Sequence, residues 1–364
     1  MTRHSPVPRD FIPQLDGVRG IAIILVVTYH YWGYLPVFAA GWSGVDLFFV
    51  LSGYLITSRL VAVQHRPHPL QQFYTNRALR ILPLYFGTLL MFYLGFHLLV
   101  RHQNSPLFEF YNQHWISYLL FVQNWLLPHV NETRPVFLLH FWSLAVEEQF
   151  YLIWPVFLYT FWTKKYFTTA VFLIVGLILI ARTAIYFHYP VWRAKDIDYY
   201  ITFCRMDAFF IGGLLFLFQS RHKAGQFIPY FILAFLLTAG GIWFSGNAKN
   251  NNAFFCTIGY TFLDISFAGL LYAAINHSRQ WLSQVLNYRW LRFTGKISYG
   301  LYIFHWIVLQ VLEPKITQHV FLPAGLGNRT AFFLSSCICL VISYLISIIS
   351  YNYFESFFLR RKLR

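Results

Sequence analysis

Arg19 and His30 stand eleven residues apart in the apolar run LDGVRGIAIILVVTYH, residues 15–30. In a helix that spacing is about three turns with only ~20° of angular offset, so both lie on one face, separated by roughly 16 Å along the axis. A fixed cation at one level and a titratable ring nitrogen at another suggest a route leading inward from a charged mouth to a reacting group. A second constellation is Arg77 and Arg80 in NRALRILPLY. Three apart, they share a helix face. With Arg19 they form a cationic clamp suited to phosphates, because the planar guanidinium binds oxyanions bidentately. Anchoring of helix ends at lipid headgroups is the competing reading, and for Arg59 and Arg66 it is the favoured one. The third constellation is HFWSLAVEEQFYLIWP, residues 140–155, with Glu147 and Glu148 adjacent in an apolar helix. Adjacent residues point about 100° apart. One carboxylate therefore meets the site while the other orients or pairs with a cation; a structural pair with Arg182 or Arg205 is the bland alternative. His140 reads as an interfacial residue. His305, in KISYGLYIFHW, reads equally as a packing histidine or as a second member of the site.

The elements that must hold these residues are membrane helices. Of 364 residues, 57% are hydrophobic and only 11% charged, far from the roughly one-quarter charged fraction of soluble domains. Taking about twenty apolar residues as one crossing, spans fall at 17–38, 43–63, 79–99, 139–161, 167–187, 199–218, 226–244, 253–274, 297–313 and 331–352. The stretch 115–127, WISYLLFVQNWLL, is too short and reads as interfacial or re-entrant. With both termini on the cytoplasmic side, 19 of the 28 basic residues face inward and 7 outward, leaving Arg182 and Arg205 within spans; an added crossing at 115–127 would invert everything after it. The expected architecture is an all-α integral membrane protein, a bundle of about ten transmembrane helices in one domain over 1–364. It has a cytoplasmic arm at 1–16, helices between 17 and 352 and a basic cytoplasmic tail at 353–364.

The net charge of +15 is thereby a topology signal, and no nucleic-acid partner is expected. The N-terminal segment has no cleavage pattern, so the first apolar run reads as a retained helix. Cys204, Cys256, Cys337 and Cys339 have no metal-ligand spacing and read as small core residues, and no metal site is expected. The triplets Asn131-Glu-Thr and Asn328-Arg-Thr fall in outer loops and matter only in a eukaryotic secretory setting. The lightly charged outer loop from Arg101 to Leu139 is a plausible acceptor-side element. Charged groups inside a membrane are costly and are functional candidates by default. The topology brings His30 and Glu148 to nearly one layer, with Arg205 and Asp207 entering the sixth span to similar depth. Asp46 lies early in the second, Asp264 mid-span in the eighth and His305 mid-span in the ninth. These groups are expected to converge on one polar cavity.

Six motifs in this order resemble the acyltransferase 3 family of integral membrane O-acyltransferases. They are LDGVRGIAIILVVTYH, GVDLFFVLSGYLIT (44–57), NRALRILPLYF, WSLAVEEQFYLIWP, RMDAFFIGGLL (205–215) and ISYGLYIFHW (297–306). The resemblance implies a ten-helix enzyme that takes an acyl group, commonly acetyl, from cytoplasmic acyl-coenzyme A. It passes that group to a hydroxyl of a glycan, a lipid-linked sugar or another acceptor, often at the outer face of a bacterial inner membrane. It also implies that His30 is the essential histidine, Arg19 its partner and Arg77 with Arg80 the coenzyme-associated pair, with Glu148 in the glutamate motif. Some relatives carry an additional esterase-like domain; here the chain ends at Arg364, and a stand-alone form is expected. Under this reading His30 acts as general base or carries the acyl group as nucleophile. Glu148 would hold its tautomer, Arg205 would steady an oxyanion, and Asp46, Glu147, Asp207 and His305 would support the site. The rival reading is a transporter whose buried ions form a proton or substrate relay. Oligomeric state is left open.

Overall fold

The computed structural model describes residues 12–100, 106–129, 136–161, 166–194, 196–219, 225–276 and 280–362. Among the described residues every regular element is helical, as the composition requires of a chain that must satisfy its backbone within lipid. In chain order these are α1 Pro13–Trp32, α2 Gly44–Val63, α3 Pro69–Val100, α4 Pro106–Leu119, α5 Gln123–Leu126 and α6 Trp142–Phe161. There follow α7 Phe167–His188, α8 Pro190–Ala194, α9 Ile197–Tyr200, α10 Met206–Gln219, α11 Ile228–Ser245 and α12 Tyr260–Ile275. The chain closes with α13 Gln280–Leu286, α14 Arg289–Lys296, α15 Ser298–Ile316, α16 Asn328–Ile349 and α17 Ser356–Leu359.

Eight helical stretches among the described residues are long and apolar enough to cross a membrane. Two further long helices, α1 and α15, run 20 and 19 residues. They are less apolar because they carry the polar residues of interest. Both bury more of their length in the bundle than α7 and α11, which present most of their apolar surface outward, 17% and 11% buried, as helices facing lipid do. Close packing of the inner helices depends on glycine. A Cβ at Gly53 of α2 or Gly212 of α10 would strike the backbone of the other helix at Phe209 and Val50, and one at Gly295 of α14 would strike Asp16 of α1. Small residues let membrane helices approach to backbone contact, and here they bring α2 against α10 and α1 against α14.

Several boundaries differ from those read from hydropathy. The first helix stops at Trp32, and Pro36 opens a separate 3-10 turn. The third begins at Pro69, ten residues before its apolar stretch, because the polar segment LQQFYTNRALR continues as helix beyond the apolar run. The sixth span is broken: α9 and a 3-10 turn at Thr202–Arg205 precede α10, so Arg205 sits at a helix entrance rather than within a continuous helix. The doubtful 115–127 stretch is divided at Phe121, whose φ of 55° is left-handed, between the end of α4 and the four-residue α5. Gln123 and Asn124 are buried there. Gln123 Nε2 donates to Phe141 O at 2.8 Å and Asn124 Nδ2 to Thr202 Oγ1 at 2.8 Å, which holds α5 in the bundle. The last helix continues through a π turn at Ser350–Glu355 into α17, so most of the expected tail is helical. The triplet at Asn131, the basic residues Arg3, Arg9, Arg101, Arg134, Lys164, Lys165, Lys195, Arg221, Lys223, Arg279 and Arg364, and parts of the 101–139 loop lie outside the described residues. Asn328 opens α16.

Candidate functional site

The start of α1, the end of α2, the start of α3 and the end of the chain meet at one end of the bundle. Arg59, Arg66, Arg77, Arg80 and Lys362 line a cavity of about 370 Å³ there. Arg77 and Arg80, one turn apart on α3, also wall a second, narrower cavity of about 80 Å³ that adds Arg19, Glu147, Ser143 and Tyr302. The two spaces therefore share the arginine pair. Arg19 is held by Asp16 one turn earlier, at 3.2 Å. Arg77 lies over the ring of Tyr151 at 5.0 Å, and Tyr151 in turn donates a short hydrogen bond to Glu147, as does Ser52. Among the described residues neither Arg77 nor Arg80 is in a salt bridge. Lys362, beyond the last helix, has its pKa pushed down to about 7 by burial and by the charges of Arg80, Arg77, Arg19 and Arg59. So many like charges around one space favour an anion among them, and the planar guanidinium suits a phosphate oxyanion.

Ser143 on α6 and Tyr302 on α15 form part of the wall of the narrow cavity, and their hydroxyls are hydrogen-bonded to each other. Tyr302 also donates to His140 O at 2.8 Å. Directly beyond stand three histidines. The ring of His140 lies 5.4 Å from that of His305, and His305 is stacked on His30 at 5.0 Å. Nδ1 of His30 lies 2.7 Å from Nε2 of His305, and Trp306 packs against the His30 ring at 4.7 Å. His305 is fully buried, while His30 is only half-buried. The cation-lined end of the bundle and the imidazole pair are thus separated by the wall that Ser143 and Tyr302 form.

His140 is 3% exposed and part of this cluster, which corrects its reading as interfacial: the 3-10 segment Val136–Phe141 before α6 folds it inward. Ser143 and Tyr302 were not singled out in the sequence. The i, i+3 spacings His140-x-x-Ser143 and Tyr302-x-x-His305 carry the signal, since each places both side chains on one helix face.

The carboxylates and the other buried arginines go elsewhere. Glu147, not Glu148, is on the cavity wall. No hydrogen bond joins Glu148 to His30, and its Oε1 is buried without a partner; the group bonded to the His30 ring is another imidazole. Arg205 is paired with Asp46 by a short contact, both 1% exposed, and its guanidinium lies 3.9 Å over the Tyr260 ring. Arg182 is paired with Asp207 at 2.8 Å, and Thr261 donates to the same carboxylate at 2.6 Å. Asp264 is buried nearby with both oxygens unpartnered. The expected single cavity is therefore two polar regions. The reason is the break before α10, which turns Arg205 toward α2 and α12. The four cysteines are free thiols, three of them buried, and among the described residues no group of side chains could hold a metal ion.

The profile of the acyltransferase domain family, acyltransferase 3, matches residues 12–348. The chain belongs to this acyltransferase family. Its match takes in α1 through nearly all of α16, so both polar regions lie inside the family's domain. The acyltransferase is 29% identical over 344 residues to peptidoglycan O-acetyltransferase OatA of Listeria monocytogenes, covering 87% of this chain and 53% of that protein. It is 29% identical over 337 residues to YrhL of Bacillus subtilis, named provisionally as a peptidoglycan O-acetyltransferase, covering 85% and 50%. The chain spans about half the length of the curated relatives it matches. No solved structure matches it.

Proposed function

We propose that this acyltransferase is a multi-pass enzyme of a bacterial inner membrane. It moves an acyl group, acetyl by analogy with its relatives, from cytoplasmic acyl-coenzyme A to a hydroxyl of a cell-wall or cell-surface glycan. The observation that carries the reading is the pair of cavities sharing Arg77 and Arg80, one lined by cations and the other walled by Tyr302, whose ring packs against His140 and His305. In this account the coenzyme's phosphates dock on Arg19, Arg77 and Arg80. Its thin pantetheine arm enters the narrow cavity, and the thioester arrives past Ser143 and Tyr302 at His30. The acceptor approaches His30 from the other side of the bundle. As base, His30 takes the hydroxyl proton while the oxygen attacks the thioester carbonyl. The C–O bond forms, the C–S bond breaks, and the departing thiolate recovers the proton from the ring. His30 attacking first as nucleophile would use the same atom and the same passage. The even helix count and cytoplasmic termini are supported by the common location of Arg19, Arg59, Arg77, Arg80 and Lys362 at one end, where the positive-inside rule puts them.

The test is thiol release from acetyl-coenzyme A by the protein in liposomes with a glycan acceptor. Arg77→Gln and Arg80→Gln raise KM for the donor by about tenfold each, the loss of one charge-assisted contact at ~1.5 kcal/mol, with a smaller change in kcat. Accumulation of donor or glycan in sealed vesicles with no thiol released would replace the enzyme reading by transport.

A further inference from the structure

The hydrogen bonds around His305 determine the protonation pattern of His30. Nδ1 of His305 faces two backbone carbonyls, Leu301 O at 3.0 Å and Tyr302 O at 2.7 Å. A carbonyl oxygen only accepts, so Nδ1 of His305 carries the hydrogen. A neutral imidazole has one N–H, which leaves Nε2 of His305 bare. That atom is 2.7 Å from Nδ1 of His30, so the hydrogen between them belongs to His30. The remaining nitrogen of His30, Nε2, then holds a free lone pair. It has no hydrogen-bond partner among the described residues and is not one of the sealed, unpartnered atoms, consistent with a half-buried ring.

His305 is kept neutral by its surroundings. It is 0% exposed, and the groups packed on it are the rings of His30, Tyr31, His140 and Tyr302. The hydroxyl of Tyr31 donates to the His305 carbonyl at 2.9 Å, fixing α1 against α15 at this level. No carboxylate is bonded to the ring, and an unpaired ion in such a place is expensive. A protonated His305 would also force its Nε2–H onto Nδ1 of His30 and move the His30 hydrogen to Nε2, removing the base.

We propose that His305 is a positioning residue that acts through His30, the neutral counterpart of the carboxylate in a hydrolase triad, and that Nε2 of His30 is the atom that receives the acceptor's proton or the acyl group. The inference about reactivity rests on the acyl-transfer reading above; the tautomer itself does not. His305→Phe keeps a ring in the space and removes the acceptor, whereas the amide oxygen of His305→Gln reaches the former Nε2 position. With acetyl-coenzyme A as probe, His305→Phe lowers kcat by about 100-fold with KM for the donor changed less than ~2-fold, and His305→Gln recovers to within ~10-fold of the parent. Nitrogen NMR of ¹⁵N-histidine-labelled protein, with His30 assigned by its loss in His30→Asn, shows Nδ1–H and bare Nε2 in the parent and a tautomer mixture in His305→Phe. A role in packing alone leaves the tautomer unmoved and gives no rescue by Gln. A parent spectrum with His30 protonated at Nε2 overturns the proposal, as does a His305→Phe enzyme with kcat within ~3-fold of the parent. Failure of the acyl-transfer reading shows itself differently, as no thiol release by the parent, and the NMR result then decides the tautomer alone.

Discussion

Asp46→Asn is the sharpest test of the division between the histidine cluster and the arginine–carboxylate layer. The substitution keeps the shape of the side chain and removes the charge that Arg205 faces, with both residues 1% exposed. Breaking a buried pair by neutralising one partner costs about 3–5 kcal/mol, because the other charge is left uncompensated. The ring of Tyr260, 3.9 Å below the guanidinium, retains part of that, since a desolvated cation–π contact is worth ~2 kcal/mol. We therefore expect the lower end, about 3 kcal/mol. Unfolding entropy near 2.1 cal/mol/K per residue turns this into a fall of about 4 °C in Tm for a chain of 364 residues. The assay is thermal unfolding of purified protein in detergent, followed by tryptophan fluorescence, beside donor kinetics below the transition. Asp46→Asn should lower Tm and leave KM for the donor unchanged. Asp46→Asn combined with Arg205→Met, which removes both charges, should recover most of the lost stability. An unchanged Tm with transfer lost would refute the reasoning, since it would place Arg205 with the reacting group after all.

Two further outcomes probe the donor path. Lys362, with its pKa pushed down to about 7 by burial and the surrounding arginines, takes up a proton when phosphates bind beside it; donor affinity therefore falls as pH rises from about 7 toward the ordinary lysine value near 10.4. Calorimetry of coenzyme A binding across that range checks the slope, which Lys362→Met should flatten. Ser143→Leu fills part of the narrow cavity of about 80 Å³ and should cut acyl transfer by at least ~100-fold while coenzyme A binding changes less than ~3-fold, because the phosphates dock at the arginines and only the thioester is blocked. Equal losses of binding and transfer would place the route elsewhere.

Much of the architecture was legible because apolar runs of membrane length have few alternatives to helix: the runs holding α2, α7, α11 and α16 appear within a few residues of their hydropathic limits. The Arg19 to His30 spacing and the Arg77–Arg80 pair were legible for the same reason, since helix geometry alone sets which face each residue occupies. What hydropathy could not convey was how a span is interrupted. The turn at Thr202–Arg205 falls inside a stretch that reads as one apolar span, yet it decides that Arg205 meets Asp46. The partner of His30 was equally hidden. His305 is 275 residues away, and nothing local tells a packing histidine from one that accepts a hydrogen bond. Glu148 drew attention as a charge in an apolar helix, but adjacent positions diverge by about 100°, and the structure gives the cavity wall to Glu147. Lys362 left no signal, because a basic residue beyond a last helix is ordinary until the chain folds back over an arginine cluster.

The central claim is that His30 performs acyl transfer from a coenzyme bound at the opposite end of its own helix. It is tested most directly by mass spectrometry of the glycan acceptor after incubation with isotopically labelled acetyl-coenzyme A and membranes holding equal amounts of parent or His30→Ala protein. The account predicts labelled acetyl ester on the acceptor with the parent and at least ~1,000-fold less with His30→Ala, within the range expected for loss of a general base or nucleophile. Labelled ester at near-parental levels in the His30→Ala sample would contradict it.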